Sequence, residues 1–143
     1  MILKLFYFYL TYFSTIFALL SIMFKILIID DDRNICEIIS NFLKEEGYTV
    51  NVAYDGESAL RKIKAERYDL MILEYKLPGI AGLQVLEEVL QINRSLAAIV
   101  VSAFGNRSVR SKAKELGAYD FLDKPFDINE LLKDCKLALG KKP

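Results

Sequence analysis

The chain has 143 residues, room for one domain with a hydrophobic core and too little for two. Its formal net charge is zero, so it offers nucleic acid no broad basic surface. It contains no histidine, which excludes a histidine phosphodonor, a Ser-His or Cys-His nucleophile and a histidine-based metal site.

The first 22 residues are set apart from the rest, residues 23–143. Only Lys4 is charged before Lys25, and Leu5 to Phe24 is an uncharged run of 20 residues. As a helix that run is about 30 Å long, enough for a bilayer core. It holds 8 of the 17 aromatic residues, set among Leu and Ile, as AT-rich non-coding DNA yields when translated. It lacks a small-x-small cleavage site and a polar stretch before the next element, which counts against a signal peptide. Two readings stand beside that one. In the first, Met23 is the true start and residues 1–22 are a mis-assigned segment. In the second, residues 5–24 anchor the chain in a membrane, which makes the membrane a partner only if the segment is genuine.

From Lys25 onward, short apolar runs alternate with amphipathic ones. KILII (25–29) predicts a strand. Residues 33–47 predict a helix with Ile35, Ile39 and Phe42 at inward spacing and Gly47 as its stop. TVNVA (49–53) predicts a second strand, and Asp55 caps a helix reaching about Arg67. LMIL (70–73) predicts a third strand that runs into Glu74 and then a loop with Pro78, Gly79 and Gly82. Leu83, Leu86, Val89 and Leu90 mark a third helix, and AAIVVS (97–102) a fourth strand. A polar helix over 106–116 ends at Gly117, and YDFL (119–122) is a short fifth strand. Asp127 opens a last helix with Glu130 at capping-box spacing and a stripe of Leu131, Leu132, Cys135 and Leu139. Cys36 and Cys135 form no metal or redox motif and read as buried thiols of a reducing cytosol. The alternation predicts an α/β fold, a five-stranded parallel sheet with helices on both faces.

Right-handed crossovers place all the strand C-termini on one edge, where such folds bind ligands. Asp30, Asp31 and Asp32 follow the first strand, Glu74 ends the third, Ser102 ends the fourth and Lys124-Pro125 follow the fifth. Acids are common in loops, and any one of these reads blandly as a solvated strand end. Together they describe a phosphoryl site. Carboxylates without His or Cys suit a hard cation such as Mg²⁺, and the ammonium and hydroxyl suit phosphoryl oxygens.

The stretches KILIIDDD, LEYKLPGIAGL, VVSAFG and GAYDFLDKPFD resemble the motifs of bacterial response-regulator receiver domains, in order, over roughly residues 23–140. The last is most similar to receivers of the nitrogen-regulatory type, and the absence of an output domain resembles the stand-alone receivers of phosphorelays. The resemblance implies a flavodoxin-like strand order 2-1-3-4-5 and a cytoplasmic signalling protein that acts by contact and is not an enzyme. It implies a Mg²⁺ site at Asp30, Asp31, Glu74 and the backbone carbonyl of Lys76, with Asp31 the more direct ligand. Lys124 matches the lysine that meets the phosphoryl group, and its bond to Pro125 is expected to be cis. Ser102 matches the switch hydroxyl and Phe121 the aromatic that moves with it. Implied partners are a sensor histidine kinase or phosphotransfer protein, and an effector on the face of the fourth helix, fifth strand and fifth helix, counted from the first strand.

The chain departs from the family at the phosphoacceptor, where Glu74 stands for aspartate, and in the loop, which reads Pro78-Gly79-Ile80-Ala81-Gly82 in place of Pro-Gly-Met-Asp-Gly. One extra methylene moves the carboxylate on the order of 1 Å, enough to cost about a hundredfold in rate. It also carries the carboxylate toward Lys124 and Ser102. The expectation is a receiver that is poorly phosphorylated or not at all. Three other classes compete. A haloacid-dehalogenase-like phosphohydrolase shares Asp-x-Asp, a later Ser and a lysine, but Asn34 departs from its motif and only one helix follows Lys124. A membrane-tethered pseudo-receiver that only binds partners depends on residues 1–22. A flavin module would need a Ser-, Thr- or Gly-rich loop where DDDRN stands.

Overall fold

The computed structural model describes residues 1–140, excepting the side chains of residues 17, 18 and 20–23. Helix α1 (Ile2–Met23) ends one residue before β1 (Lys25–Ile29), so no linker separates it from the sheet. Its described side chains are all exposed. Among the described residues no helix is long and apolar enough to cross a membrane. The span expected over residues 5–24 includes six positions whose side chains lie outside that description.

The remaining elements follow the expected alternation: α2 (Arg33–Glu45), β2 (Thr49–Ala53), α3 (Gly56–Ala65), β3 (Leu70–Glu74), α4 (Gly82–Ile92), β4 (Ala97–Ser102), α5 (Arg107–Leu116), β5 (Asp120–Asp123) and α6 (Ile128–Gly140). The five strands form one parallel sheet in the order β2-β1-β3-β4-β5. Successive strand residues point to opposite faces. Ile26, Ile28, Leu70, Ile72, Ile99, Val101 and Leu122 pack under α2 and α6. Leu27, Ile29, Met71, Leu73, Ala98, Val100 and Phe121 pack under α3, α4 and α5. Both faces are covered, which is why residues 26–29 and 70–73 read as unbroken apolar runs.

Local signals set the element ends. Asp32, Asp55 and Asn106 each accept backbone N–H bonds at the start of α2, α3 and α5. Gly117 closes α5 at φ 110°, a left-handed conformation that disfavours any side chain. Three details depart from expectation. α3 stops at Ala65 and not near Arg67. β5 lies one residue later than YDFL, because its register follows β4, with Ser102 opposite Asp123. The inward stripe of α2 is Cys36, Ile39, Ser40 and Leu43, while Phe42 is 39 % exposed. A helix turns 100° per residue, and Leu43 continues the Cys36–Ile39 line better than Phe42 does. Both cysteines are buried and unpaired, as expected.

The outer edge of the sheet holds an acid pair that the sequence did not suggest. Asp134 on α6 meets Asp120 of β5, with Glu130 nearby, and one Asp134 oxygen is buried without a hydrogen-bond partner. Burial first, and then the shared contact and charge of Asp120, push the Asp134 carboxyl up from 3.8 to about 7. The folded chain therefore keeps a proton that the unfolded chain releases, and stability falls as pH rises from about 4 to about 7. Asp134→Asn is expected to flatten that fall, raising the thermal midpoint at pH 8 and changing it little at pH 4. Thermal melts of both proteins at the two pH values measure it, and an equal shift at both contradicts the assignment.

Candidate functional site

The C-terminal edge of the sheet carries the acids, the hydroxyl and the ammonium because four strands end there in register. Ile29 pairs with Leu73, Glu74 with Val101, and Ser102 with Asp123, so Asp30, Glu74, Ser102 and Lys124 emerge side by side. Backbone bonds lock the next residues in place: Asp30 N–H donates to Ala53, Tyr75 N–H to Val101, and Lys124 N–H to Ser102 at 2.9 Å. The Lys124–Pro125 bond is cis, as expected.

These elements surround a cavity of about 550 Å³ lined by Asp30, Asp31, Asp32, Glu74, Lys76 and Lys124, among others. At its floor the Lys124 ammonium lies 2.7 Å from Asp30 Oδ2 and 2.5 Å from Glu74 Oε2. Both carboxylates are buried, Asp30 to 2 % exposure and Glu74 to 5 %. The other Glu74 oxygen accepts from Lys76 N–H at 3.0 Å, and the other Asp30 oxygen from Asp32 N–H at 2.9 Å. One ammonium thus serves two desolvated carboxylates. Burial pushes the Asp30 carboxyl above its usual range, and Lys124 only partly offsets this. Burial works against the Lys124 charge, but its bonds to Asp30 and Glu74 outweigh it and raise its pKa.

The uncompensated charge bears on metal binding. Asp30 and Glu74 together carry one negative charge more than Lys124 neutralises, in a pocket walled by carboxylate and backbone oxygens. That donor chemistry fits a hard divalent cation that keeps most of its waters. Asp30, the exposed Asp31 and the Lys76 carbonyl line this cavity and would be the groups to hold such a cation, which would supply positive charge toward phosphoryl oxygens. Among the described residues no three carboxylate, thiol or imidazole groups are already gathered around one point, because Asp30 and Glu74 turn to the ammonium.

The remaining expected residues divide. Ser102 is fully buried, and its hydroxyl accepts from Phe104 N–H at 3.0 Å; no hydrogen bond joins it to Glu74. Phe121 is buried at 7 % exposure on the α3–α5 side. Asp32 serves mainly as the cap of α2. Sequence reasoning missed the Lys76 ammonium over the Phe104 ring, 4.3 Å from its centre, which bridges the loops after β3 and β4. It also missed Arg110, which reaches Phe121 and Asp123 from α5. Neither pair has a spacing signal, since each joins residues on different loops or elements.

Comparison with known proteins decides what this edge belongs to: residues 26–136 match the response regulator receiver domain family. The chain is a member of that family. The receiver is 36 % identical over 121 residues to the response regulator ArlR of Staphylococcus saprophyticus, covering 85 % of this chain and 54 % of that protein. The chain therefore spans about half the length of that relative. It is also 36 % identical over 118 residues to sporulation initiation phosphotransferase F of Bacillus subtilis, covering 82 % of this chain and 95 % of that one. Among solved structures it is similar to a CheY-like receiver domain protein of Methanospirillum hungatei, with a TM-score of 0.81 and 29 % identity over 82 % of this chain and 94 % of that one. It is likewise similar to the receiver domain of NtrX from Brucella abortus, with a TM-score of 0.77 and 32 % identity over 82 % and 99 % of the two chains. Receiver domains are modules of two-component signalling that in general bind Mg²⁺ and meet histidine kinases or phosphotransfer proteins.

The ion triad sets a stability test. Removing the one cation in Lys124→Met leaves two buried carboxylates unpaired, a change that costs about 3–5 kcal/mol for a buried pair. Urea unfolding is expected to show that loss, and adding Glu74→Gln to be expected to recover part of it. An additive double variant means that the two groups do not interact in solution.

Proposed function

We propose that this receiver acts in two-component signalling by protein contact, with Glu74 at the phosphoacceptor position and phosphorylation weak or absent. The ion pair between Glu74 and Lys124 carries the reading. The longer side chain brings its carboxylate to the ammonium that the family resemblance assigns to a phosphoryl group, and so occupies the space a phosphoryl would take. Asp30, Asp31 and the Lys76 carbonyl hold Mg²⁺, which offsets the excess negative charge at Asp30 and Glu74. A sensor kinase or phosphotransfer protein meets the open edge, and an effector reads the face of α5, β5 and α6. The two buried, unpaired thiols fit a reducing cytoplasm.

A second reading is that Glu74 imitates the phosphorylated state. The buried ring of Phe121 favours it. The Ser102 hydroxyl, bonded to Phe104 N–H and not to Glu74, does not.

Glu74→Asp tests the first reading. With Mg²⁺ and acetyl phosphate the variant is expected to acquire an acid-stable, base-labile label, seen as a phosphoryl mass increment, while the parent acquires little. Labelling of the parent equal to that of the variant sinks the reading.

The metal is tested separately by calorimetric titration with Mg²⁺. Asp31→Ala is expected to weaken binding at least about tenfold, the typical effect of losing a carboxylate ligand interaction of about 1.4 kcal/mol. Asp32→Ala is expected to leave binding nearly intact while lowering stability by about 1 kcal/mol through the lost helix cap. Equal loss of affinity in the two variants means that the ligand register is wrong.

A further inference from the structure

Arg110 lies outside the ion triad yet is the side chain through which α5 grips β5. Its guanidinium lies over the Phe121 ring, 4.8 Å from the ring centre. One of its N–H groups donates to the Phe121 carbonyl at 3.3 Å, and another pairs with the Asp123 carboxylate. The edge of the ring lies against Gly105. A Cβ added there would lie 2.4 Å from Phe121 Cε1 and 2.8 Å from Cζ, closer than atoms can approach. The ring therefore sits in a slot that exists because residue 105 has no side chain, and Arg110 lies over the ring.

The three Arg110 contacts need a planar, forked cation. A lysine ammonium can meet the carboxylate or the ring, but it cannot also reach the carbonyl with a second fixed donor. Moving the ring outward breaks the ring contact and opens the slot. The same movement disturbs the carbonyl that the fork holds.

We propose that Arg110 is the positioning residue of Phe121: it holds the ring in the Gly105 slot and so ties α5 to the strand end that bears Lys124. The inference rests on reading Phe121 as the aromatic that changes place when the receiver switches. It adds a consequence for the output face. A partner that draws Arg110 away from β5 frees the ring, and a change at Lys124 is felt by Arg110 through Asp123, its neighbour in the chain.

The test is fluorine NMR on the full chain with 4-fluorophenylalanine placed at position 121 alone. The parent is expected to show one dominant resonance insensitive to solvent isotope. Arg110→Ala is expected to move the equilibrium about tenfold toward a solvent-sensitive resonance, the combined effect of a lost cation–π contact and a lost hydrogen bond. Arg110→Lys should fall between them, and Asp123→Asn should shift less than Arg110→Ala in the same direction. Lys112→Ala, an exposed charge change on the same helix, should shift nothing. Gly105→Ala should expel the ring by crowding it, its Cβ also lying 3.1 Å from Asp123 Oδ1. Far-UV circular dichroism checks that each variant is folded, and Asp123→Asn carries the test if Arg110→Ala is not. An unchanged resonance in the folded Arg110 variants, or in Asp123→Asn where that variant carries the test, overturns the proposal. Glu74→Gln run alongside separates the two ideas. Release by Glu74→Gln but not by Arg110→Ala leaves the imitation reading standing and defeats this one. Release by Arg110→Ala but not by Glu74→Gln does the reverse.

Discussion

One ammonium held between two buried carboxylates organises this receiver. Lys124, Asp30 and Glu74 come from three strand ends separated by 44 to 94 positions in the chain, and only a parallel sheet in the order β2-β1-β3-β4-β5 sets them side by side. The interaction is strong because water is largely excluded, and it is costly for the same reason. Neither carboxylate has a cation of its own. The site is therefore built with a deficit of positive charge, and that deficit makes a divalent cation a fitting addition.

Glutamate changes this centre by length, not by chemistry. Its headgroup is that of aspartate, and here one oxygen meets Lys124 while the other accepts from Lys76 N–H. Lys76 thus ties the loop after β3 to the carboxylate through its N–H and to the loop after β4 through its ammonium, which lies over Phe104. A carboxylate held at once by an ammonium and a backbone N–H is fixed in place, and reactions at such a group depend steeply on that placement.

The end of β5 is held from two sides. Asp123 points outward to Arg110 on α5, and Lys124, the next residue, points inward to Asp30 and Glu74. Alternation along a strand makes this possible: neighbouring side chains leave opposite faces, so two adjacent residues connect the buried centre to the helical surface. Phe121, two residues before Asp123, shares its side and lies beneath Arg110. Electrostatic change at the centre and contact at the surface meet on four consecutive residues.

Most of the fold was legible because its determinants are local. Short apolar runs, the helix cap at Asp55 and the stop at Gly117 are written in adjacent residues. That Asp30, Glu74, Ser102 and Lys124 share one edge was legible as well, since strand C-termini lie together in any sheet of this kind and each of the four stands at a strand end or one residue past it. The inward face of α2 was misjudged at Phe42, because one residue of phase separates a core position from a half-exposed one and packing against α6 decides it. Nothing in the chain announced that Arg110 would lie over Phe121, that Gly105 would make room for the ring, or that Asp134 would meet Asp120. Those pairings join residues on different elements, and their distances come from the register of β5 against β4 and the seating of α5 and α6. The sequence by itself determined which groups stand at the sheet edge; the tertiary structure alone decided which of them touch, because contact depends on how far apart the packed elements hold their side chains.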